Sequence, residues 1–141
     1  MPCIDLNQIR PAELQHHLAA HSTIVACLCA DWCDVCKAYR PRFEALAEQH
    51  PELLFMWIDI EDQASLVDHL DVDNFPTLLL QQHDIVSFYG AMQSDTTRLQ
   101  RLIHTQSQLS LQQLQELAES GEQQRHWQTE ANLRLRLAEH V

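Results

Sequence analysis

Glycine is scarce in this chain: two in 141 residues, with five prolines. That composition argues against a linker or a low-complexity chain. Lysine is scarcer still. The nine basic residues are eight arginines and Lys37, and no basic block exists; against twenty acidic residues the formal net charge is −11. Nucleic acid and anionic membrane are therefore not expected as partners, and the acid excess reads as solubility. No run approaches the ~18 apolar residues of a membrane span. Met1-Pro2-Cys3-Ile4-Asp5 has neither the basic nor the apolar region of a secretory leader, so the expected location is cytoplasmic. In a reducing compartment five cysteines are not a disulfide framework. No self-similarity with a period of 20–50 residues is visible.

What is present is a core-forming chain, 45% hydrophobic, of a length that suits one domain with an appendage. It is organised around Ala26-Cys27-Leu28-Cys29-Ala30-Asp31-Trp32-Cys33-Asp34-Val35-Cys36-Lys37. Thr23 to Ala30 is almost wholly apolar, the pattern of a central strand buried on both faces. Cys33 and Cys36 then open a helical pattern that runs to about Gln49, with Pro41 inside it as an expected kink. Thiols in the first turn of a helix suit disulfide exchange, because the positive end of the helix dipole favours the attacking thiolate. In a reducing compartment such a pair is catalytic, metal-binding or accidental.

The remaining elements follow in order. Cys3 to Leu6 reads as a short edge strand. Pro11 to Ala20 reads as a helix with Pro11 at its first position and Leu14 and Leu18 on one face. Leu53 to Ile60 is a second buried strand, and Ala64 to Leu70 a short helix. Thr77 to Leu80 and Ile85 to Tyr89 form an antiparallel hairpin across His83-Asp84, and Ser94 to His104 is a further helix. Parallel crossovers followed by a hairpin predict an α/β fold with a mixed sheet and helices on both faces.

From Ser107 the chain turns rich in Gln, Leu, Glu and Arg. Ser110 to Gln113 fits a capping box, Leu111, Leu114 and Leu117 form a stripe, and Gly121 reads as a stop. One last helix places Trp127, Ala131, Leu135 and Ala138 on its apolar face, with Leu133 and Leu137 well off it. The tail reads either as packed on its own domain, which is preferred, or as an interaction arm for a homodimer or a client.

Trp32-Cys33-Asp34-Val35-Cys36-Lys37 resembles the Trp-Cys-x-x-Cys-Lys signature of the thioredoxin family. Pro41 is similar to that family's kink proline, Phe75-Pro76-Thr77 to its cis-proline motif, and Gly90 to the glycine following its last strand. The likeness covers residues 1–105 and leaves 106–141 as a helical C-terminal extension. It implies a thioredoxin-like three-layer α/β/α sandwich with a mixed central sheet, plus C-terminal helices. It also implies a thiol–disulfide oxidoreductase acting on protein disulfides, with no cofactor, supplied with electrons by a reductase or small-thiol donor. Cys33 would be the exposed nucleophile and Cys36 the resolving thiol. Trp32, Phe75, Pro76 and Gly90 would form the substrate groove, with Pro76 cis.

The chain departs from that pattern in several places. Asp34 and Val35 stand between the cysteines, and Asp31 and Asp34 are expected to oppose ionisation of Cys33. Cys27 occupies the position of the family's buried acid, Trp57 that of its companion lysine, and Cys29 that of an aromatic residue. Cys27 and Cys29 read as small core residues on one strand face. A zinc site of Cys27, Cys29, Cys33 and Cys36 is disfavoured, because four converging thiolates would distort the strand–helix junction. His17 and His21, at helical spacing, read as a solvated flank, so no metal site is expected. The alternative function is a redox-inactive or weakly active binding or holdase module docking a partner through the C-terminal helices.

Overall fold

Alternate residues of β2 (Thr23–Cys29) serve two different cores, and this sorts the molecule into layers. Ile24, Ala26 and Leu28 face one side; Val25, Cys27 and Cys29 face the other, as a period of two dictates. The computed structural model describes residues 3–30, 32–63, 70, 72, 74–92 and 95–140, without the side chains of residues 139 and 140. The short helix expected over Ala64 to Leu70 falls almost wholly outside them.

The sheet has five strands in the order β1-β3-β2-β4-β5, where β1 is Cys3–Asp5, β3 Leu54–Asp59, β4 Thr77–Gln82 and β5 Ile85–Ala91. β1, β3 and β2 run parallel; β4 is antiparallel to β2, and β5 to β4. This is a mixed sheet built from parallel crossovers and one terminal hairpin. The hairpin turn has no glycine, and His83 adopts the left-handed conformation there, at φ 56°.

α1 (Pro11–Ala20) and α2 (Asp34–Glu48) lie on opposite faces. Leu14 and Leu18 of α1 join Ile4, Ile24, Met56 and Leu79. Tyr39, Phe43 and Leu46 of α2 join Val25, Phe55 and Trp57, with the rings of Phe43 and Phe55 5.1 Å apart. α2 continues through Pro41, which removes one internal hydrogen bond. Arg40 fastens this helix to the sheet: its guanidinium is 2.8 Å from the Asp5 carboxylate and lies 5.1 Å from the Trp57 ring. α3 (Thr97–Ser107) completes this face through Leu99 and Ile103. It begins later than the spacing predicts, where the Asp95 side chain accepts the Thr97 N–H at 2.9 Å.

The tail forms three helices, α4 (Leu111–Ala118), α5 (Glu122–Glu130) and α6 (Leu133–His140). Ser110 and Gln113 form the expected capping box. Two expectations are corrected. Gly121 caps the start of α5 instead of stopping α4. The single last helix is broken at Ala131-Asn132, which rotates the following residues: Leu133 and Leu137 are buried with Trp127 and Ala131, whereas Leu135 is 47% exposed. Asn132 causes the break, because its Oδ1 accepts the Leu135 N–H at 3.1 Å as a helix cap.

Polar groups seat the tail on the sheet. Gln81, fully buried in β4, donates to Asn132 Oδ1 at 2.8 Å and accepts the Leu133 N–H at 2.8 Å. Gln128 pairs with both backbone groups of Val86, at 2.8 and 2.9 Å, as a neighbouring strand would. It thereby covers part of the β5 edge. Arg134 donates to the carbonyls of Leu18, at 2.7 Å, and His21, at the negative end of α1.

Candidate functional site: a thiol cluster at the start of α2

The chain leaves β2 at Cys29 and enters α2 at Asp34, so only a tight connection separates strand end from helix start. The Cys33 N–H donates to the Ala30 carbonyl at 3.0 Å, and the Lys37 N–H donates to the Cys33 carbonyl at 3.1 Å. Cys33 is thus the N-cap of α2, half-buried, and a free thiol. Cys36, in the first turn, points into the core and is 1% exposed. Asp31 lies outside the described residues.

Cys36 is disulfide-bonded to Cys29, with Cα atoms 5.8 Å apart across a separation of seven residues. The bond in this structure is thus not the one expected between Cys33 and Cys36. The reason is the face of β2 on which Cys29 lies. Cys27 and Cys29 project toward α2, and the short connection sets the first turn of that helix over the strand end. Sequence reasoning places both cysteines on one strand face but does not place α2 over it. Cys29 is nevertheless core, fully buried, and its carbonyl accepts the Ile60 N–H at 2.9 Å. The Cys27 and Cys29 sulfurs are 3.8 Å apart. Burial raises the Cys27 pKa well above that of an ordinary thiol, with a smaller contribution from nearby Cys3. Cys27 also pairs in register with Trp57, so the two departures from the expected charged pair are neighbours.

Trp32 is 63% exposed beside the thiols. Its indole N–H donates to Glu61 at 2.6 Å, and its ring meets Phe75 edge-on with centroids 5.7 Å apart. The Phe75–Pro76 peptide bond is cis. Gly90 is opposite Leu78 in the hairpin and Ala91 opposite Thr77, while the Met92 N–H donates to the Pro76 carbonyl at 3.1 Å. Cys33, Phe75 and Met92 pack against the same apolar cluster that holds Cys29 and Cys36. The structure therefore gathers Trp32, Cys33, Cys36, Phe75 and Pro76 at one end of the sheet, with Gly90 one strand away. Glu61 and Met92 were missed: no local pattern in sequence marks either, since both reach the site through loops.

Among the described residues no group of three or more His, Cys, Asp or Glu side chains is arranged to hold a metal ion. His21 Nδ1 lies 2.9 Å from the His17 carbonyl on α1, away from the thiols. A cleft of about 670 Å³, lined by His50, Leu53, Ile103 and His104, lies beyond the opposite end of α2. No described helix is long and apolar enough to cross a membrane.

A free thiol capping a helix, above a disulfide in the core of a mixed α/β/α sandwich, defines a thiol–disulfide redox protein. The family model for thioredoxin matches residues 5–105, and the chain belongs to the thioredoxin family. It is 34% identical over 89 residues to a thioredoxin of Ophiophagus hannah, covering 62% of this chain and 82% of that one. A putative thioredoxin 2 of Streptomyces coelicolor is 34% identical over 59 residues, 42% of this chain and 44% of that protein. Among solved structures, a mutant thioredoxin of Halobacterium salinarum superimposes with a TM-score of 0.63 at 26% identity, over 77% of this chain and 93% of that one. Helices α4 to α6 lie outside the family match.

Proposed function

We propose that the chain is a thiol–disulfide oxidoreductase acting on protein disulfides in the cytoplasm, with Cys33 as nucleophile and Cys36 as resolving thiol. The observation that carries this reading is the contrast between the two: Cys33 is a free, partly exposed thiol at the N-cap of α2, and Cys36 is buried three residues on in the same turn. In the reduced protein the Cys33 thiolate attacks one sulfur of a substrate disulfide. The other substrate sulfur leaves as a thiolate, and a mixed disulfide forms. Cys36 then attacks Cys33, the mixed disulfide breaks, and the second substrate thiolate departs. Two electrons have passed to the substrate, and the chain holds one disulfide. A reductase or small-thiol donor returns it to the dithiol.

Trp32, Phe75, Pro76 and Gly90 form the proposed groove; the Trp32–Phe75 ring contact and the packing of Cys33 and Phe75 against one cluster support that role. Residues 1–105 are the proposed catalytic domain, and residues 106–141 an extension that buttresses its sheet. The seating of α5 and α6 on that sheet counts against a tail held free to capture clients.

The test is a Cys36→Ser variant incubated with a disulfide-bonded protein. It should accumulate a mixed disulfide through Cys33, visible as a dithiothreitol-sensitive adduct. Absence of any adduct while Cys33 remains alkylatable would remove the reading.

A further inference from the structure

Cys36 has two thiols beside it. Cys33 precedes it in the same helical turn, and Cys29 lies beneath that turn at the end of β2. The structure bonds Cys36 to Cys29 and leaves Cys33 free. We propose that Cys29 is a third redox thiol of this site, which takes the disulfide over from Cys33. The oxidised chain then holds it as a buried Cys29–Cys36 bond and keeps Cys33 as a surface thiol. The inference rests on the proposed exchange chemistry, because that chemistry forms the Cys33–Cys36 bond in the first place.

The step is an isomerisation with no net oxidation. The Cys29 sulfur, as thiolate, attacks the Cys36 sulfur. The Cys33–Cys36 bond breaks, the Cys29–Cys36 bond forms, and Cys33 leaves as a thiolate. The proton lost from Cys29 goes to the Cys33 sulfur, or to solvent when Cys33 stays a thiolate. Burial sets the direction. Cys29 is 0% exposed and Cys36 1% exposed, so their disulfide leaves neither buried sulfur titratable. The opposite isomer would seal a lone Cys29 thiol there, next to the Cys27 sulfur at 3.8 Å. The observed isomer places the remaining thiol where water hydrates its charged form.

The consequence is a change in chemistry between the two redox states. The reduced chain completes a dithiol cycle. The oxidised chain still attacks a disulfide with Cys33, but Cys36 is engaged below it and does not resolve the product. That mixed disulfide persists until a reductant opens Cys29–Cys36 or a second thiol displaces it. The oxidised state is thus a single-thiol capture form.

The test is a disulfide map of the full-length chain, reduced, re-oxidised with one equivalent of diamide, equilibrated and quenched in acid. Cleavage before Asp31 and Asp34 puts Cys29, Cys33 and Cys36 on three separate peptides. The expected result is a predominant Cys29–Cys36 linkage, with Cys33 alkylated by iodoacetamide in the folded protein. In a Cys29→Ala variant oxidised alike, the linkage should move to Cys33–Cys36, and the native alkylation should fall from one thiol per chain to none. A wild-type map dominated by Cys33–Cys36, with Cys29 alkylated only after unfolding, overturns the inference. Trapping through Cys33 in Cys36→Ser reports on the exchange reading alone, since neither linkage exists there.

Discussion

The Cys29–Cys36 disulfide ties the last residue of β2 to the first turn of α2, across Cα atoms 5.8 Å apart. It leaves three thiols in very different surroundings. Cys33 is partly exposed, Cys27 is sealed in the core, and Cys3 is held protonated, burial pushing its pKa up to about 12 with help from Glu44. Iodoacetamide at neutral pH should therefore modify Cys33 within minutes in the oxidised, folded protein. Cys27 and Cys3 should follow only in guanidinium. Intact-mass spectrometry before and after unfolding reads the order of labelling, and rapid native labelling of Cys27 would contradict the packing described.

The buried thiols also fix the sign of a pH dependence. Cys27 and Cys3 both have folded-state pKa values raised above the ordinary thiol value of 9.0, chiefly by burial. Above that value the unfolded chain loses protons that the folded chain keeps, so stability falls as pH rises. The groups facing Cys27 include Cys29, Cys3, the Tyr39 hydroxyl, whose pKa burial also raises, and, with opposing effect, the Arg40 cation. The melting temperature should be flat below about pH 8.5 on this account and decline above pH 9. Cys27→Ala should shallow the alkaline limb of the curve, measured by circular dichroism. An unchanged slope in that variant would assign the decline to other groups.

Asn132 links three parts of the chain through the Gln81 amide, the Asp84 carbonyl, to which it donates at 3.0 Å, and the Leu135 N–H. Asn132→Ala should cost about 2–3 kcal/mol, because Gln81 is left buried without that partner. The melting temperature should fall by roughly 5–10 °C. Asn132→Asp, which keeps the acceptor but not the donor, should lie between the two. A loss under about 0.5 kcal/mol would place the tail's anchoring elsewhere.

Most strand and helix periods among the described residues were legible because each reports a local rule. The two-faced apolar run gives β2, Pro11 starts α1, and Ser110 with Gln113 caps α4. The mixed sheet followed from connection lengths and the hairpin. The partner of Cys36 was not legible. It depends on which face of β2 the following helix crosses, a tertiary fact that the spacing of Cys33 and Cys36 does not contain. The face of the last helix failed for a different reason. A period of 3.6 extrapolated through Asn132 takes a capping residue for a helical one, and so exchanges Leu135 for Leu133 and Leu137. Glu61 and Met92 reach the site only through folding, and nothing in their neighbourhoods singles them out.

Trp32 offers the most exposed large apolar surface beside Cys33, oriented by Glu61 and Phe75. In the proposed groove it contacts the substrate. Trp32→Ala should then raise KM for a protein disulfide, with a loss in kcat/KM of about tenfold, equivalent to about 1.4 kcal/mol. The rate with a small disulfide such as oxidised glutathione should change much less. Equal losses on both substrates would point to damage at the thiols instead of a lost contact.

In the proposed cycle Cys33 does the attacking. Insulin reduction in the presence of dithiothreitol, followed by turbidity, tests it with wild-type and Cys33→Ser proteins whose melting temperatures match. Wild type should accelerate precipitation, and Cys33→Ser should fall to the dithiothreitol background, although Cys29 and Cys36 remain. A Cys33→Ser protein that reduces insulin at the wild-type rate would contradict the account.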